Sequence, residues 1–209
     1  MSDSVQPDHF AFDAESETAI PPLLAKYPAG KQASAVIPML YLVQNQMKRQ
    51  TGSAWVPIAG MNEVARRLDM APIRVYEVAT FYTMFNLRPV GRWHLQVCTT
   101  TPCWLRGSDD IVAVCRKSIH REQGAISPDG TFTWVEMECL GACVNAPMVL
   151  IDKDPFEDLD AEKFESILGA YRRGEQPKPG PQSDRRSSEP LGGRTTLTDT
   201  GGDQPVAKI

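Results

Sequence analysis

The chain has 209 residues, 42% hydrophobic and 23% charged, and its 22 Lys and Arg stand against 26 Asp and Glu for a net charge of −4. That balance is ordinary for globular protein, allows one or two domains, and offers no basic surplus for a nucleic-acid backbone. The longest apolar run, Val36 to Val43, is broken by Pro38 and falls far short of the ~18–20 residues a bilayer helix needs.

The first residues show neither the basic, apolar start of a secretory signal nor an Arg-rich transit pattern, so a reducing cytoplasmic setting is expected. Residues 1–15 are polar and acidic apart from Phe10 and Phe12 and read as a flexible arm. Residues 16–90 read as a helical bundle. Glu17 to Tyr27 gives a first helix, with Pro21 and Pro22 tolerable only near its start. Ser34 is the expected cap of a second, which runs to about Arg49 on Val36, Ile37, Leu40, Val43 and Met47. A third covers Met61 to Leu68. The fourth opens at Pro72 and carries Val75, Val78, Ala79, Tyr82 and Phe85 on one side. Ile58 to Phe85 can also be threaded as a helix–turn–helix. Its outward positions Arg74, Glu77 and Thr80 would neutralise phosphate poorly, and a bundle core accounts better for the periodicity.

From Gly91 the period changes, and residues 91–175 read as a small α/β layer. Trp93 to Val97 is a strand, Ser108 to His120 a helix capped by Ser108, and Thr131 to Glu138 a second strand. Met148 to Ile151 is a third strand and Ala161 to Arg173 a closing amphipathic helix. The acidic stretch Asp152 to Asp160 lacks the glycine and ligand spacing of a calcium loop and reads as a solvated turn. From Gly174 on there are six Gly and five Pro, no aromatic residue, and five positive charges against five negative. Such a segment cannot bury enough apolar surface to offset its ordering entropy. The tail 176–209 is therefore expected to be disordered alone, to order by docking on a partner, and to be dispensable for the chemistry upstream.

That chemistry lies in the cysteines. There are five, Cys98, Cys103, Cys115, Cys139 and Cys143, and an odd number in a reducing compartment points to metal or redox chemistry rather than a disulfide framework. Cys98-Thr-Thr-Thr-Pro-Cys103 leaves the first strand and Cys139-Leu-Gly-Ala-Cys143 leaves the second; neighbouring strands of one sheet would bring both to the same edge. Four thiolates suit a tetrahedral zinc or a 2Fe–2S cluster. Spacings of four and three residues are wider than the tight Cys-x2-Cys knuckles of structural zinc. The intervening Thr99, Thr100, Thr101, Gly141 and Ala142 are small enough to let backbone N–H groups approach sulfur, and no charged side chain stands between the paired cysteines. The cluster is the favoured reading, with zinc and a thiol–disulfide site as alternatives. Its simplest arrangement puts Cys98 and Cys103 on one iron and Cys139 and Cys143 on the other. Cys115, among Ile111, Val112 and Val114, reads as a small buried hydrophobe, and His94 and His120 lack the Cys-x-His spacing of Rieske ligands.

The run Cys139-Leu-Gly-Ala-Cys-Val-Asn-Ala-Pro-Met148, taken with the Cys-x4-Cys upstream, resembles the thioredoxin-like 2Fe–2S protein (the E subunit) of NADH:quinone oxidoreductase, respiratory complex I. Ser34-Ala-Val-Ile-Pro-Met-Leu40, Val78-Ala-Thr-Phe-Tyr-Thr-Met-Phe85 and Pro89-Val-Gly91 are similar to that family's helical part. Gly180-Pro-Gln-Ser183, Glu189-Pro-Leu-Gly-Gly193 and Thr195-Thr-Leu-Thr198 are similar to the extension of its mitochondrial and α-proteobacterial members. The resemblance implies an α+β protein: a helical bundle, a thioredoxin-like ferredoxin domain and a disordered tail. It implies one 2Fe–2S cluster on Cys98, Cys103, Cys139 and Cys143, storing an electron from NADH oxidation. FMN and NADH would sit on a flavoprotein partner, among other peripheral-arm subunits on the cytoplasmic side of the inner membrane. The chain agrees in having no Gly-x-Gly-x-x-Gly of its own. Alone it would not be catalytic. Related modules in NAD-reducing hydrogenases and NAD-dependent formate dehydrogenases are the alternative.

Overall fold

Helices come first along the chain, and each boundary has a local cause. The structure is a computed structural model that describes residues 6–190, 192, 193 and 196. Its chain divides into two compact units. One runs to Leu95 and takes in Cys115–Val135; the other holds Gln96–Val114 and what is described from Glu136 on.

In the first unit, α1 (Ala14–Leu24) starts three residues earlier than the sequence indicated because Asp13 caps it, accepting from the Ser16 N–H at 2.8 Å. It ends at Leu24 rather than Tyr27. Pro21 and Pro22 lie inside it and supply no N–H, so the helix continues only briefly beyond them. The arm before it is not loose from Phe10 on. Phe10 and Phe12 are buried edge to face, and the buried Gln46 amide donates to the Ala11 carbonyl while its oxygen accepts from the Asp13 N–H. A 3-10 turn (Gln32–Ala35) leads into α2 (Val36–Thr51); Ser34 lies within that turn and makes no capping bond. α3 (Ile58–Leu68) and α4 (Pro72–Phe81) complete the bundle around the enclosed Met39, Leu40, Val43, Val56, Val64 and Val75. Each such side chain contributes about 1.5–3 kcal/mol by leaving water. α3 reaches α2 at Gly60, where a Cβ would stand 2.5 Å from Val43 Cγ1. On α4 Val75 and Ala79 are buried as expected. Tyr82 falls past the helix end and is exposed, and Arg74 is ion-paired with Glu77 at 2.9 Å.

The sheet contains β1 (Trp93–Cys98), β2 (Phe132–Met137), β3 (Val149–Ile151), β4 (Asp154–Glu157) and β5 (Gly180–Pro181), in the order β2-β1-β3-β4-β5. The N–H groups of Arg92, Trp93 and Thr99 reach the carbonyls of Gly130, Thr131 and Met137 at one constant offset, so β1 and β2 run the same way. Two elements carry no clear signal in the sequence. The acidic stretch expected to be a solvated turn folds back as β4, antiparallel to β3 with Ile151 opposite Asp154. Asp152 takes the left-handed conformation (φ 52°) in the connecting turn, and Phe156 is fully buried, which gives the segment an apolar anchor. The other is α5 (Thr101–Leu105), a single turn between the first two cysteines. α6 (Ser108–Ser118) contains Ser108 as its first residue rather than as a bonded cap; the hydroxyl is buried without a hydrogen-bond partner. α7 (Ala161–Arg172) is capped by Asp160, which accepts from the Lys163 N–H at 2.8 Å. Among the described residues no helix is long and apolar enough to cross a membrane.

Candidate metal centre

Four of the five cysteines lie in the second unit, at the ends of β1 and β2. Cys98 is the last residue of β1, and its N–H donates to the Met148 carbonyl at 3.3 Å. The chain then turns through Thr99 and Thr100 into α5, with Pro102 in the first turn, where a missing N–H costs nothing. That turn of helix returns the chain so that Cys103 hydrogen-bonds Cys98. Both thiols are buried, together with Ala146 and Met148, and Leu140 and Ala142 are packed against them. The peptide bond between Ala146 and Pro147 is cis.

The second pair follows β2. Gly141 takes φ 90°, a conformation any side chain would strain, and this lets five residues reverse direction. Cys143 opens a 3-10 turn (Cys143–Asn145), and its Sγ stands 3.4 Å from that of Cys139. Both are exposed. The two loops meet through the backbone: the Leu140 N–H donates to the Cys98 sulfur, and the Met148 N–H to that of Cys103. The four thiols expected from the sequence are thus brought together as two pairs. Among the described residues, no three His, Cys, Asp or Glu side chains are grouped so as to hold a single metal ion.

The thiols do not ionise alike. Burial works against ionising Cys98. The Thr100 hydroxyl, 3.4 Å from its sulfur, and the Leu140 and Thr100 N–H groups outweigh burial and hold this thiol below its ordinary value. Cys103 is pushed up to about 12, first by burial and then by its hydrogen bond and proximity to Cys98. Cys143 is also raised, chiefly by the hydrogen bond with Cys139, then by burial and the neighbouring sulfurs. Thiols that resist ionising beside one another become thiolates readily only where positive charge is at hand, as at a metal centre. Two pairs fit two irons, each taking two thiolates, and the inward N–H groups suit sulfide-bearing clusters.

A family model, "Thioredoxin-like [2Fe-2S] ferredoxin", matches residues 20–172. The chain belongs to this family. Its relatives include the NADH-quinone oxidoreductase E subunit 1 of Rhizobium meliloti (strain 1021), 50% identical over 198 residues that cover 93% of this chain and 70% of the relative. The NADH-quinone oxidoreductase E subunit of Rickettsia bellii (strain RML369-C) is 48% identical over 164 residues, 78% of this chain and 95% of the relative. The resemblance carried by the Cys139 motif and the helical segments therefore holds over most of the chain. Among solved structures, the air-oxidised NAD+-reducing [NiFe]-hydrogenase aligns with a TM-score of 0.55 at 17% identity. The alignment covers 67% of this chain but only 23% of that one, so it speaks for the fold alone.

The other candidates fall in the first unit. Cys115 is fully buried on α6, in the first unit, as its apolar neighbours indicated. His94 is buried on β1, and His120 follows α6 with its Nδ1 accepting from the Glu122 N–H at 3.0 Å. Sequence reasoning missed the donors from Leu140 and Met148, which are backbone groups and carry no side-chain signal. It also missed that the apolar Trp104, Leu105 and Val144, next in the chain to Cys103 and Cys143, are exposed.

Proposed function

We propose that this chain is the 2Fe–2S electron-transfer subunit of an NADH:quinone oxidoreductase, with Cys98, Cys103, Cys139 and Cys143 as the four ligands. The convergence of two thiol pairs at the ends of parallel strands carries this reading, and the roughly 50% identity to E subunits of NADH-quinone oxidoreductase supports it. Bound, the cluster would supply one-electron storage. The chain's own residues hold it and set its surroundings. Cys98 and Cys103 ligate from inside and Cys139 and Cys143 from the solvent side. The Thr100 hydroxyl and the Leu140 and Met148 N–H groups place positive dipole against sulfur and favour the added negative charge of reduction.

The electron's source in this reading is the FMN of a flavoprotein partner that binds NADH, alongside other peripheral-arm subunits on the cytoplasmic side of the membrane. The exposed Trp104, Leu105 and Val144 beside the cysteines in the chain are suited to a protein neighbour. We take 16–90 as the helical domain, 91–175 as the thioredoxin-like domain, and the tail 176–209, which beyond Pro190 lies mostly outside the described residues, as the part that docks. The same module in an NAD-reducing hydrogenase is the second reading, and the fold alignment favours it only at the level of architecture.

Metal and sulfide analysis of anaerobically purified protein, with electron paramagnetic resonance before and after dithionite, tests the centre. About two irons and two acid-labile sulfides per chain, silent when oxidised and spin one-half when reduced, are expected. One zinc without sulfide would overturn it. Subunits retained through gentle purification separate the hosts: quinone-reducing membrane subunits on one reading, a nickel subunit on the other.

A further inference from the structure

Residues 180–189 have the composition of a solvent-exposed linker, yet they are bonded into the back of the turn that carries Cys143. β5 pairs in parallel with β4, Phe156 opposite Gly180 and Glu157 opposite Pro181, and the Gln182 N–H donates to the Glu157 carbonyl at 2.9 Å. The Ser183 hydroxyl donates to Asp158 Oδ2 at 2.7 Å. Arg185 then enters the protein. Its Nε stands 2.9 Å from Asp158 Oδ2, an ion pair without hydrogen-bond alignment, and the two side chains are only 9% and 7% exposed.

The other end of the guanidinium faces the metal turn. Nη1 donates to the Val144 carbonyl at 3.2 Å and to Asn145 Oδ1 at 3.3 Å, and returns to the tail through the Glu189 carbonyl at 3.4 Å. Asn145 is itself buried. Its amide donates to Glu157 Oε2 at 2.6 Å and to the Ser187 carbonyl at 3.0 Å, and its own carbonyl accepts from the Asp158 N–H at 2.7 Å. Val144 and Asn145 are the two residues after Cys143, and the Asn145 N–H closes the turn onto Ala142 at 2.9 Å.

A nearly enclosed charge is costly unless it is paired and hydrogen-bonded, so a tail that merely rested on the surface would not place one there. We propose that residues 180–189 form a latch, with Arg185 as a positioning residue that fixes the Cys143 turn through Val144 and Asn145. This rests on Cys143 being a cluster ligand. The guanidinium spans two roles: its Nε end lies beside Asp158 while Nη1 donates to two acceptors on the turn, a reach that the single ammonium of lysine does not match. The tail up to Glu189 is then part of the metal centre, and the expectation that the whole tail is dispensable for the cluster is reversed for this segment.

The full-length, iron-loaded chain provides the test, in wild type and in Arg185→Gln, Arg185→Lys and Arg186→Gln. Arg186 is the exposed neighbour and serves as control. Iron release to a ferrous chelator and the paramagnetic resonance spectrum of the reduced protein are compared. Arg185→Gln is expected to release iron about tenfold faster, the scale on which outer-shell partners change metal affinity, with shifted g-values. Arg185→Lys, which retains charge opposite Asp158 and so protects the fold, is expected to fall between, and Arg186→Gln to match wild type. A drop in thermal stability with release and spectrum unchanged in both Arg185 variants would overturn the latch and leave the cluster reading intact. A wild-type chain that holds no iron would overturn the cluster reading and the latch with it.

Discussion

The two thiol pairs present the same chemistry in opposite surroundings. Cys98 and Cys103 are each 1% exposed and receive N–H groups from Leu140 and Met148, whereas Cys139 and Cys143 are open to solvent on a turn that glycine makes possible. Sheet order explains the difference. β1 is an interior strand, so a residue at its end has neighbours on both sides; β2 is the edge strand, and the chain beyond it has one side uncovered. A site built across an edge strand therefore has a dry half and a wet half before any ligand arrives.

The largest expected effect of that asymmetry is on cluster retention. Cys103→Ser puts a poor ligand where water cannot substitute, and loss of nearly all iron and visible absorbance is expected. Cys143→Ser leaves a position that solvent can fill, so iron should remain with a changed spectrum. Iron-to-protein ratios of the two variants check this, and equal losses would break the comparison. Next comes reactivity in the iron-free chain. Cys139 and Cys143 should be alkylated by a maleimide at least roughly tenfold faster than Cys98 and Cys103, since access limits a thiol whatever its ionisation. Peptide mass spectrometry of timed reactions gives the rates; equal labelling would mean the dry half opens without metal.

Two smaller effects sharpen the boundary of the site. Cys115→Ser should keep a full complement of iron but lower the stability measured by denaturant unfolding by about 1–3 kcal/mol, the cost of a hydroxyl in an apolar interior. Loss of iron there would place Cys115 in the centre. Thr100→Val removes the hydroxyl 3.4 Å from Cys98 Sγ. Redox titration should find a more negative midpoint potential. The shift should be no more than about 20–60 mV, the equivalent of a bond worth ~0.5–1.5 kcal/mol to the reduced state.

How far the sequence could be read follows the range of the interactions. Val75 and Ala79 were legible as core because helical spacing is local, and β1 and β2 because alternation is. α5 was not, since Thr-Thr-Thr-Pro has weak helix propensity and a single turn is held by its tertiary setting. β4 was hidden by its charge; only Phe156, fully buried, gives it an inner face. Arg185 could not be found in a segment of linker composition, because its partners Asp158, Val144 and Asn145 are remote in the chain.

The sequence by itself determined the thiols, their spacing, the small residues between them, and the family, because thiol chemistry and short-range spacing are properties of the chain. Only the tertiary structure decided which thiols are buried, which backbone N–H groups face them, and that residues 180–189 bond to the turn after Cys143. Those depend on strand order and on contacts between distant segments. A nearly enclosed charge such as that of Arg185 is tolerated only after the fold has placed its partners around it.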